Sequence, residues 1–164
     1  MPVQISVDAR AVIARFSPAG IPEQVRSNLR RTIPALTRKL AAKVDAALDS
    51  GLKSRTNLKI SPPEGEMIEN ARGISGRVKV VWAGDQAASM VPQVLESGAV
   101  AHPIEAKNGG ALAFFWPMLG GMAFFKRVWH PGFPGIHYMQ GSFQDMEPEI
   151  FATIDAAVKE GAAR

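Results

Sequence analysis

The stretch "ALAFFWPMLGGMAFFKRVW", from Ala111 to Trp129, contains two aromatic-rich runs separated by a short segment with one proline and two glycines. Aromatic residues favour strands, whereas proline and glycine favour turns. The runs "ALAFFW" and "MAFFKRVW" on either side of "PMLGG" therefore predict a β-hairpin. Strands joined by so short a connection pair antiparallel, so the sheet of this protein is expected to be antiparallel.

The residues after the hairpin predict a turn followed by a helix. The prolines of "HPGFPG" (130–135) fix φ and its glycines permit positive φ, which predicts a sharp change of direction. In 141–161, apolar residues recur at helical spacing, and Gly161 suits the end of that helix. Acidic side chains are expected in its first turns, where the helix dipole favours negative charge. These side chains are Asp145, Glu147 and Glu149.

The residues before the hairpin predict a long helix. Pro22 suits its first turn and Gly51 its end. Between them, apolar residues recur every three or four positions and form one stripe. Pro34 lies inside the stripe and is expected to kink the helix or divide it in two. The stripe consists of Val25, Leu29, Ile33, Leu36, Leu40, Val44 and Leu48.

Shorter segments complete the predicted fold. Alternating apolar residues predict a first strand at Val3, Ile5 and Val7. "GRVKVVWAG" (76–84) predicts a further strand with Val78, Val80 and Trp82 on one face, "KISPPEGE" (59–66) a loop, and 85–110 irregular connections. The order predicts a single α+β domain over residues 1–164. Its antiparallel sheet, which includes the long hairpin, packs against the N-terminal helix, kinked or split at Pro34, and the C-terminal helix.

The residue inventory excludes several classes of chemistry. The chain has no cysteine, so disulfides, thiolate metal sites and cysteine nucleophiles are excluded. No phosphate-binding glycine loop, G-x-S-x-G or H-E-x-x-H motif occurs. The three histidines, His102, His130 and His137, have neither helical ligand spacing nor adjacent carboxylates. We therefore expect no catalytic residues, no cofactor and no metal, and a protein that is not an enzyme.

Charge and hydropathy point to a protein without a membrane span and with unlike ends. The apolar stretch Ala111–Phe125 has 15 residues, fewer than the roughly 20 that a spanning helix needs. We therefore expect a soluble, cytoplasmic chain. Residues 1–59 hold eleven Lys/Arg against four Asp/Glu, and residues 142–164 hold two against five. This asymmetry suits head-to-tail association or contact with a polyanion, although solvated faces of two helices would also explain it.

Five short elements occur in an order that is similar to a known family. The elements are "LESG" (95–98), "HPIEAKN" (102–108), "ALAFF" (111–115), "FFKRVWHPG" (124–132) and "YM" (138–139). They resemble the tail-completion, or tail-to-head joining, proteins of long-tailed bacteriophages. The matching residues are Leu95, Glu96, Gly98, Lys107, Asn108, Leu112, Phe114, His130, Pro131, Gly132 and Met139. The chain departs from the family at Ser97, Ala99, His137, Tyr138, the "RTNL" element (55–58) and the longer hairpin tip "PMLGG".

The resemblance implies a structural protein of the virion neck that is assembled in the cytoplasm of the bacterial host. Such a protein would form a homo-oligomeric ring, expected to be a hexamer. The ring would terminate the tail tube and join it to the head connector or stopper protein, with non-specific contact to DNA in its lumen. The alternative is a basic DNA-binding module whose N-terminal helix contacts phosphates. That alternative lacks a DNA-binding motif in this sequence.

The expected interface residues come from the hairpin and the basic helix. A hairpin with aromatic residues on both faces has more apolar surface than one small sheet can bury, and such a surplus is typical of interfaces. The alternative is that all of the aromatics belong to the core. Lysines and arginines of the first helix are expected to meet either the acidic last helix of a neighbouring subunit or the DNA that passes through the ring. The predicted interface residues are Phe114, Phe115, Trp116, Phe124, Phe125, Arg30 and Arg31.

Overall fold

A computed structural model describes residues 3–8, 21–52, 60–70, 73–81 and 90–163 of the protein. The fold is α+β with antiparallel strands, as predicted. The chain divides into two compact units. Residues 1–96 and 136–164 form the helix–sheet unit, and residues 97–135 form the ribbon unit. The prediction of one domain over residues 1–164 stays a prediction.

The long first helix, α1, spans Glu23–Gly51 without interruption. Pro34 does not divide it, so the split that was one of the two predicted outcomes does not occur. The Thr37 hydroxyl donates a hydrogen bond shared between the carbonyl oxygens of Ile33 and Pro34, each of which lies 3.1 Å away. The predicted apolar stripe is buried along its whole length. Its members are Val25, Leu29, Ile33, Leu36, Leu40, Val44 and Leu48.

Three antiparallel strands form the sheet of the helix–sheet unit in the order β1–β3–β2. They are β1 (Val3–Asp8), β2 (Glu64–Asn70) and β3 (Gly73–Val80). The prediction of β1 is confirmed, whereas Trp82 and the side chains of β1 lie outside the described residues. Val78 and Val80 are buried, as their alternation predicted. At Gly76 a β-carbon would collide with the Thr37 side chain of α1, so glycine permits the close contact between helix and sheet.

The strand β2 corrects the predicted loop over 59–66, which was wrong from Glu64 onward. This strand lies at one edge of the described sheet and carries glutamates where a central strand would carry apolar residues. Glu64 pairs with Lys79 at 3.4 Å and Glu66 pairs with Arg77 at 3.4 Å on the neighbouring β3. Cross-strand ion pairs therefore replace the apolar alternation by which a strand is usually recognised.

The described residues hold two further helices: α2 (Val91–Ser97) and α3 (Tyr138–Ala162). The helix α3 packs on α1 so closely that a β-carbon at Gly161 would lie 2.7 Å from the Val25 Cα. The buried side-chain amide of Asn28 on α1 donates a hydrogen bond to the Ala157 carbonyl of α3 at 3.1 Å. Each of these two polar groups thereby has a hydrogen-bond partner. Glycine at position 161 therefore sets the helix separation as well as lying near the helix end.

The N-terminus of α3 is fixed by a residue distant in sequence. The Glu96 carboxylate of α2 accepts hydrogen bonds from the Met139 N–H at 2.8 Å and the Gln140 N–H at 2.9 Å. These are two of the amide groups that a helix start leaves without partners. As a result α3 begins at Tyr138, earlier than predicted, and its first turn holds no acidic residue. The dipole role predicted for Asp145, Glu147 and Glu149 is therefore wrong.

Tyr138 is 1% exposed, and its hydroxyl donates to the Pro92 carbonyl at 3.0 Å. Burial raises the pKa of the Tyr138 phenol above its ordinary value, and the charge of Glu96 raises it further. In the unfolded chain the Tyr138 phenol ionises near pH 10, whereas in the folded chain it stays protonated to a higher pH. This phenol is therefore expected to leave the unfolding free energy unchanged below about pH 10 and to lower it above that pH. Tyr138→Phe should remove this alkaline loss and cost about 1 kcal/mol at neutral pH.

Because Tyr138 is the only tyrosine, tyrosinate absorbance reports this group alone. Its rise should coincide with the loss of helical circular dichroism during an alkaline titration. Reversible ionisation near pH 10 (the model-peptide value) in a chain that stays folded would contradict the buried position. The Tyr138→Phe variant serves as the baseline for the deprotonation of lysines.

The ribbon unit consists of three successive antiparallel ladders. In chain order its strands are β4 (Gly98–Ala99), β5 (His102–Glu105), β6 (Leu112–Trp116), β7 (Gly121–Phe125), β8 (Arg127–His130) and β9 (Phe133–Pro134). The pairs β4–β9, β5–β8 and β6–β7 are nested within one another, which makes a two-stranded ribbon. The predicted hairpin is confirmed as β6–β7. In the described ranges its strands pair with each other and not with β1–β3, a difference from the single sheet that was expected.

The segment "HPGFPG" is not the sharp turn that its composition predicted. Gly132 does adopt a positive φ of 79°, and a β-carbon there would collide with the Ala99 carbonyl. The next two residues, however, continue the ribbon as β9 and pair with Gly98 and Ala99. The glycine therefore allows two backbones to lie close together rather than reversing the chain.

Candidate assembly surface

One face of the β6–β7 hairpin is a cluster of stacked aromatic rings, which we call the stacked face. Phe114 and Trp116 lie on β6 and Phe125 on β7, and alternation along the strands directs all three to the same side. Their ring centroids are 5.5–5.7 Å apart, within the range of favourable aromatic contacts. The three side chains are half-buried. This face therefore contributes to holding the two strands together.

The opposite face of the same hairpin, which we call the open face, is apolar and exposed. Phe115 lies opposite Met122, and Phe124 lies opposite Ala113, in the ladder register. The exposed fractions are 61% for Phe115, 57% for Met122 and 67% for Phe124. Large apolar side chains grouped in this way are uncommon on the surface of a monomeric protein and are typical of an interaction site.

The connection between β6 and β7 adds further apolar surface. This ribbon tip, residues 117–120, is a 3-10 turn closed by Gly120 at φ 63°. Met118 is 90% exposed and Leu119 is 70% exposed. The tip and the open face hold three apolar residues that sequence reasoning left out of the interface: Met118, Leu119 and Met122. The signal was present, since alternation from Phe115 and Phe124 places Met122 on their face.

Two histidines lie opposite each other near the base of the ribbon. His102 pairs with His130 in the ladder, and their ring centroids are 5.1 Å apart. The Nδ1 of His102 donates to the Val100 carbonyl at 2.8 Å, while Nδ1 of His130 accepts from the Gly132 N–H at 3.1 Å. In the parts of the chain that the structure describes, no three histidine or acidic side chains are grouped as metal ligands. The histidines thus order the backbone of the ribbon.

The basic residues of α1 are largely engaged with carboxylates of the same chain. The Arg30 guanidinium contacts Glu69 at 2.8 Å and Glu23 at 2.7 Å, and Arg26 contacts Glu69 at 3.5 Å. The hydrogen bonds that Arg30 donates to Glu69 and to Glu23, with the larger effect from Glu69, raise the pKa of Arg30 above its ordinary value. The hydrogen bond from Arg30 in turn holds the pKa of Glu69 below its usual range. The exposed Arg31 donates to the Asn28 amide oxygen at 2.7 Å.

The basic and acidic helices also meet within one chain. Lys39 of α1 contacts Glu149 of α3 at 2.5 Å, and Lys43 contacts Asp145 at 3.0 Å. The complementary charges that were predicted to join neighbouring subunits therefore pair, at these positions, inside the chain. The predicted residues fall in two places: the five aromatics share the β6–β7 hairpin of the ribbon unit, and Arg30 and Arg31 lie on α1 of the helix–sheet unit.

Several residues that carry the family resemblance have structural roles. Glu96 caps α3. Gly98 has φ 79° and Asn108 has φ 57°, conformations that glycine and asparagine tolerate best. The His130 ring accepts the Gly132 N–H. The short elements thus mark backbone positions with special requirements.

Comparisons with protein-family models, with curated proteins and with solved structures found no match to this chain. Within the described ranges, no helix combines the length and the apolar character that crossing a bilayer requires.

Proposed function

We propose that the protein is a structural component of the bacteriophage neck. It closes into a homo-oligomeric ring, expected to be a hexamer, that terminates the tail tube and joins it to the head connector. It acts by assembly rather than by catalysis. The partners in this role are further copies of the chain, the tail tube protein and the connector or stopper protein. The site of action is the virion, after assembly in the host cytoplasm.

The observation that carries the proposal is the open face of the ribbon. An isolated two-stranded hairpin is only marginally stable in water, and here one side of it presents Phe115, Met122 and Phe124 to solvent. Covering that face with another protein surface removes apolar area from water and stabilises the ribbon at the same time. A protein that repeats such an incomplete surface in every copy is suited to self-association.

The order of the sequence elements supports the placement in the neck. Three of the five elements lie wholly in the ribbon unit, at 102–108, 111–115 and 124–132, and the structure gives several residues of the elements backbone and capping roles. A fold maintained by such residues can carry different exposed side chains. The departures at Ser97, Ala99 and the longer tip "PMLGG" fall on exposed or half-buried positions of this kind.

The DNA-binding alternative receives less support from the described residues. Four of the basic side chains of α1 contact carboxylates of the same chain: Arg26, Arg30, Lys39 and Lys43. Each such pair reduces the positive potential that a phosphate backbone would meet. Non-specific contact with DNA inside a ring is compatible with the remaining charge and would weaken steeply with added salt.

Native mass spectrometry and negative-stain images of the purified protein test the proposal directly. We expect closed rings with a central opening, and a mass that is an integral multiple of 17.6 kDa. Added to tail tubes assembled without this protein, the rings should bind one end and stop further growth. A chain that stays monomeric at every accessible concentration, or that binds tubes along their sides, would contradict the proposal.

A further inference from the structure

The two strands of the β6–β7 hairpin have free outer edges in the described ranges. Each strand pairs with the other and with no further described strand, so one row of backbone N–H and C=O groups on either side lacks a ladder partner there. Such an edge is a template for pairing with another chain. Independent stability of a sheet usually needs three or more strands, and this ladder has two.

These two edges also lack the protection that other edge strands of the chain carry. Charged side chains and prolines on an edge strand discourage pairing with another chain. Neither β6 (Leu112–Trp116) nor β7 (Gly121–Phe125) contains a charged residue or a proline. The remaining edge strands with four or more residues and described side chains all contain one. These residues are Glu64, Glu66 and Glu69 on β2, Pro103 and Glu105 on β5, and Arg127 on β8.

We infer that the β6 edge of one copy of this chain pairs with the β7 edge of a second copy. The two edges match in length, since each strand has five residues. They also match in direction, because β6 and β7 run antiparallel. Copies related by rotation about an axis along the strands therefore place β7 of one copy beside β6 of the next as an antiparallel pair. The chain thus supplies both halves of the contact, which identifies a second copy as the partner.

Edge pairing also accounts for the apolar open face. Rotation keeps the open faces of successive copies on the same side of the joined sheet. Side chains on one face of paired strands contact each other, so Phe115 of one copy lies beside the open-face residues of β7 in the next. Those residues are Met122 and Phe124. Each copy therefore covers part of the exposed apolar surface of its neighbour.

This inference rests on the proposed self-association and specifies the backbone contact that produces it. Each copy uses two different edges, which makes the contact heterologous. Repeated around a ring, the contact joins the β6–β7 hairpins into one closed sheet in which these strands have no free edge. If the rotation does not close, the same contact continues as a filament.

A spin label on β6 tests the inference, because the natural chain has no cysteine that would compete for the label. Ala113→Cys places the label at an exposed position of the open face. Edge pairing sets the β6 strands of adjacent copies two strand spacings apart, about 10 Å across the sheet. The assembled variant should therefore show dipolar broadening of its electron paramagnetic resonance spectrum. The broadening should disappear when labelled chain is mixed with an excess of natural chain before assembly.

Ala152→Cys is the matched control for the label, since Ala152 is an exposed alanine on α3 of the helix–sheet unit. A label there should give little broadening in the same assembly. Broadening at Ala152 as strong as at Ala113 would show aggregation without a defined contact and would contradict edge pairing.

Amide hydrogen exchange on the natural chain provides an independent arm. Alternate amides of a two-stranded antiparallel ladder point away from the partner strand, and exposed amides of this kind exchange fast. On assembly, the fast amides of β6 and β7 should become slow. The outward amides of β2 serve as the internal control, because its charged edge is not part of the contact, and they should exchange equally fast before and after assembly.

The outcomes separate this inference from the proposed function. Rings in native mass spectra without broadening at Ala113, and with fast β6 and β7 amides, overturn the inference and leave the proposed function standing. Uniformly slow β6 and β7 amides in the monomer overturn it as well, because another segment of the same chain then covers the edges. Broadened labels in open filaments without rings support edge pairing and contradict the neck ring. A chain that stays monomeric at every accessible concentration overturns both.

Discussion

The double variant Phe115→Ser with Phe124→Ser is expected to be monomeric at the concentrations at which we propose that the natural chain forms rings. Both side chains lie on the open face and are more than half exposed in the subunit, at 61% and 67%. Fully burying one such side chain contributes roughly 1.5–3 kcal/mol. Losing two at each subunit contact amounts to about 3–6 kcal/mol, which weakens association roughly 100- to 10,000-fold.

Mass photometry across a concentration series measures this effect. The variant should keep its circular dichroism, since serine at an exposed position removes little packing within the chain. Its melting temperature should fall, because it lacks the stabilisation that association gives to the folded state. Phe151→Ser is the matched control, because Phe151 is a phenylalanine of α3 in the helix–sheet unit and is 46% exposed. Persistence of closed rings in the double variant at the natural concentration would show that the open face is not the subunit contact.

The variant Trp116→Ser with Phe125→Ser is less informative about assembly. These two rings belong to the stacked face and contact each other at 5.5 Å within the subunit. Removing these two aromatic side chains weakens the ribbon itself. The proposed oligomeric ring would therefore be lost whether or not the stacked face contacts a neighbouring copy. The difference between the two double variants separates the contribution of the interface from that of the ribbon.

Glu96→Ala is expected to destabilise the helix–sheet unit by about 2–3 kcal/mol. The carboxylate accepts two backbone hydrogen bonds at the start of α3, and hydrogen bonds to charged groups contribute roughly 1.5–3 kcal/mol each. In the variant, water can hydrogen-bond to the backbone N–H of the exposed Gln140 and offset part of the lost stability. Removing a helix cap by itself costs up to about 2 kcal/mol, which sets the lower end of the expected loss of stability.

Urea unfolding followed by helical circular dichroism measures this effect. Glu96→Gln should recover part of the stability, because the amide oxygen can still accept one of the two hydrogen bonds. Glu147→Ala serves as the control, since Glu147 is an exposed glutamate of α3 and surface substitutions usually change stability by less than about 0.5 kcal/mol. Equal unfolding free energies for Glu96→Ala and the natural chain would contradict the capping role.

Local patterns in the sequence were sufficient for the two long helices and the hairpin. The stripe from Val25 to Leu48 is buried as predicted, because side chains three and four apart share a face whatever surrounds the helix. The β6–β7 hairpin follows from strand-forming aromatics on either side of a proline–glycine turn. Because successive side chains of a strand point to opposite faces, the sequence also predicted aromatic residues on both faces of this hairpin.

Other features depended on contacts between separate elements. The strand β2 carries no apolar alternation, and its pairing with Arg77 and Lys79 becomes visible only when β3 lies beside it. Likewise, α3 begins at Tyr138 because Glu96 reaches its first amides. Glu96 lies 43 and 44 residues from the two amides, so neighbouring residues do not identify it as their partner. The strands β2 and β3 are close in sequence, but their ion pairs follow from the strand register rather than from a pattern within either strand.

The sequence by itself therefore determined the fold class, the long helices and the presence of a hairpin with surplus aromatics, since each follows from the periodicity of a short segment. Only the tertiary structure decided which of those aromatics are stacked and which are open, because that depends on the strand register. It also decided that Lys39 and Lys43 meet Glu149 and Asp145 in the same chain. Charge counts along a sequence give the sign of a surface, whereas the partner of each charge is set by the packing of one helix against another.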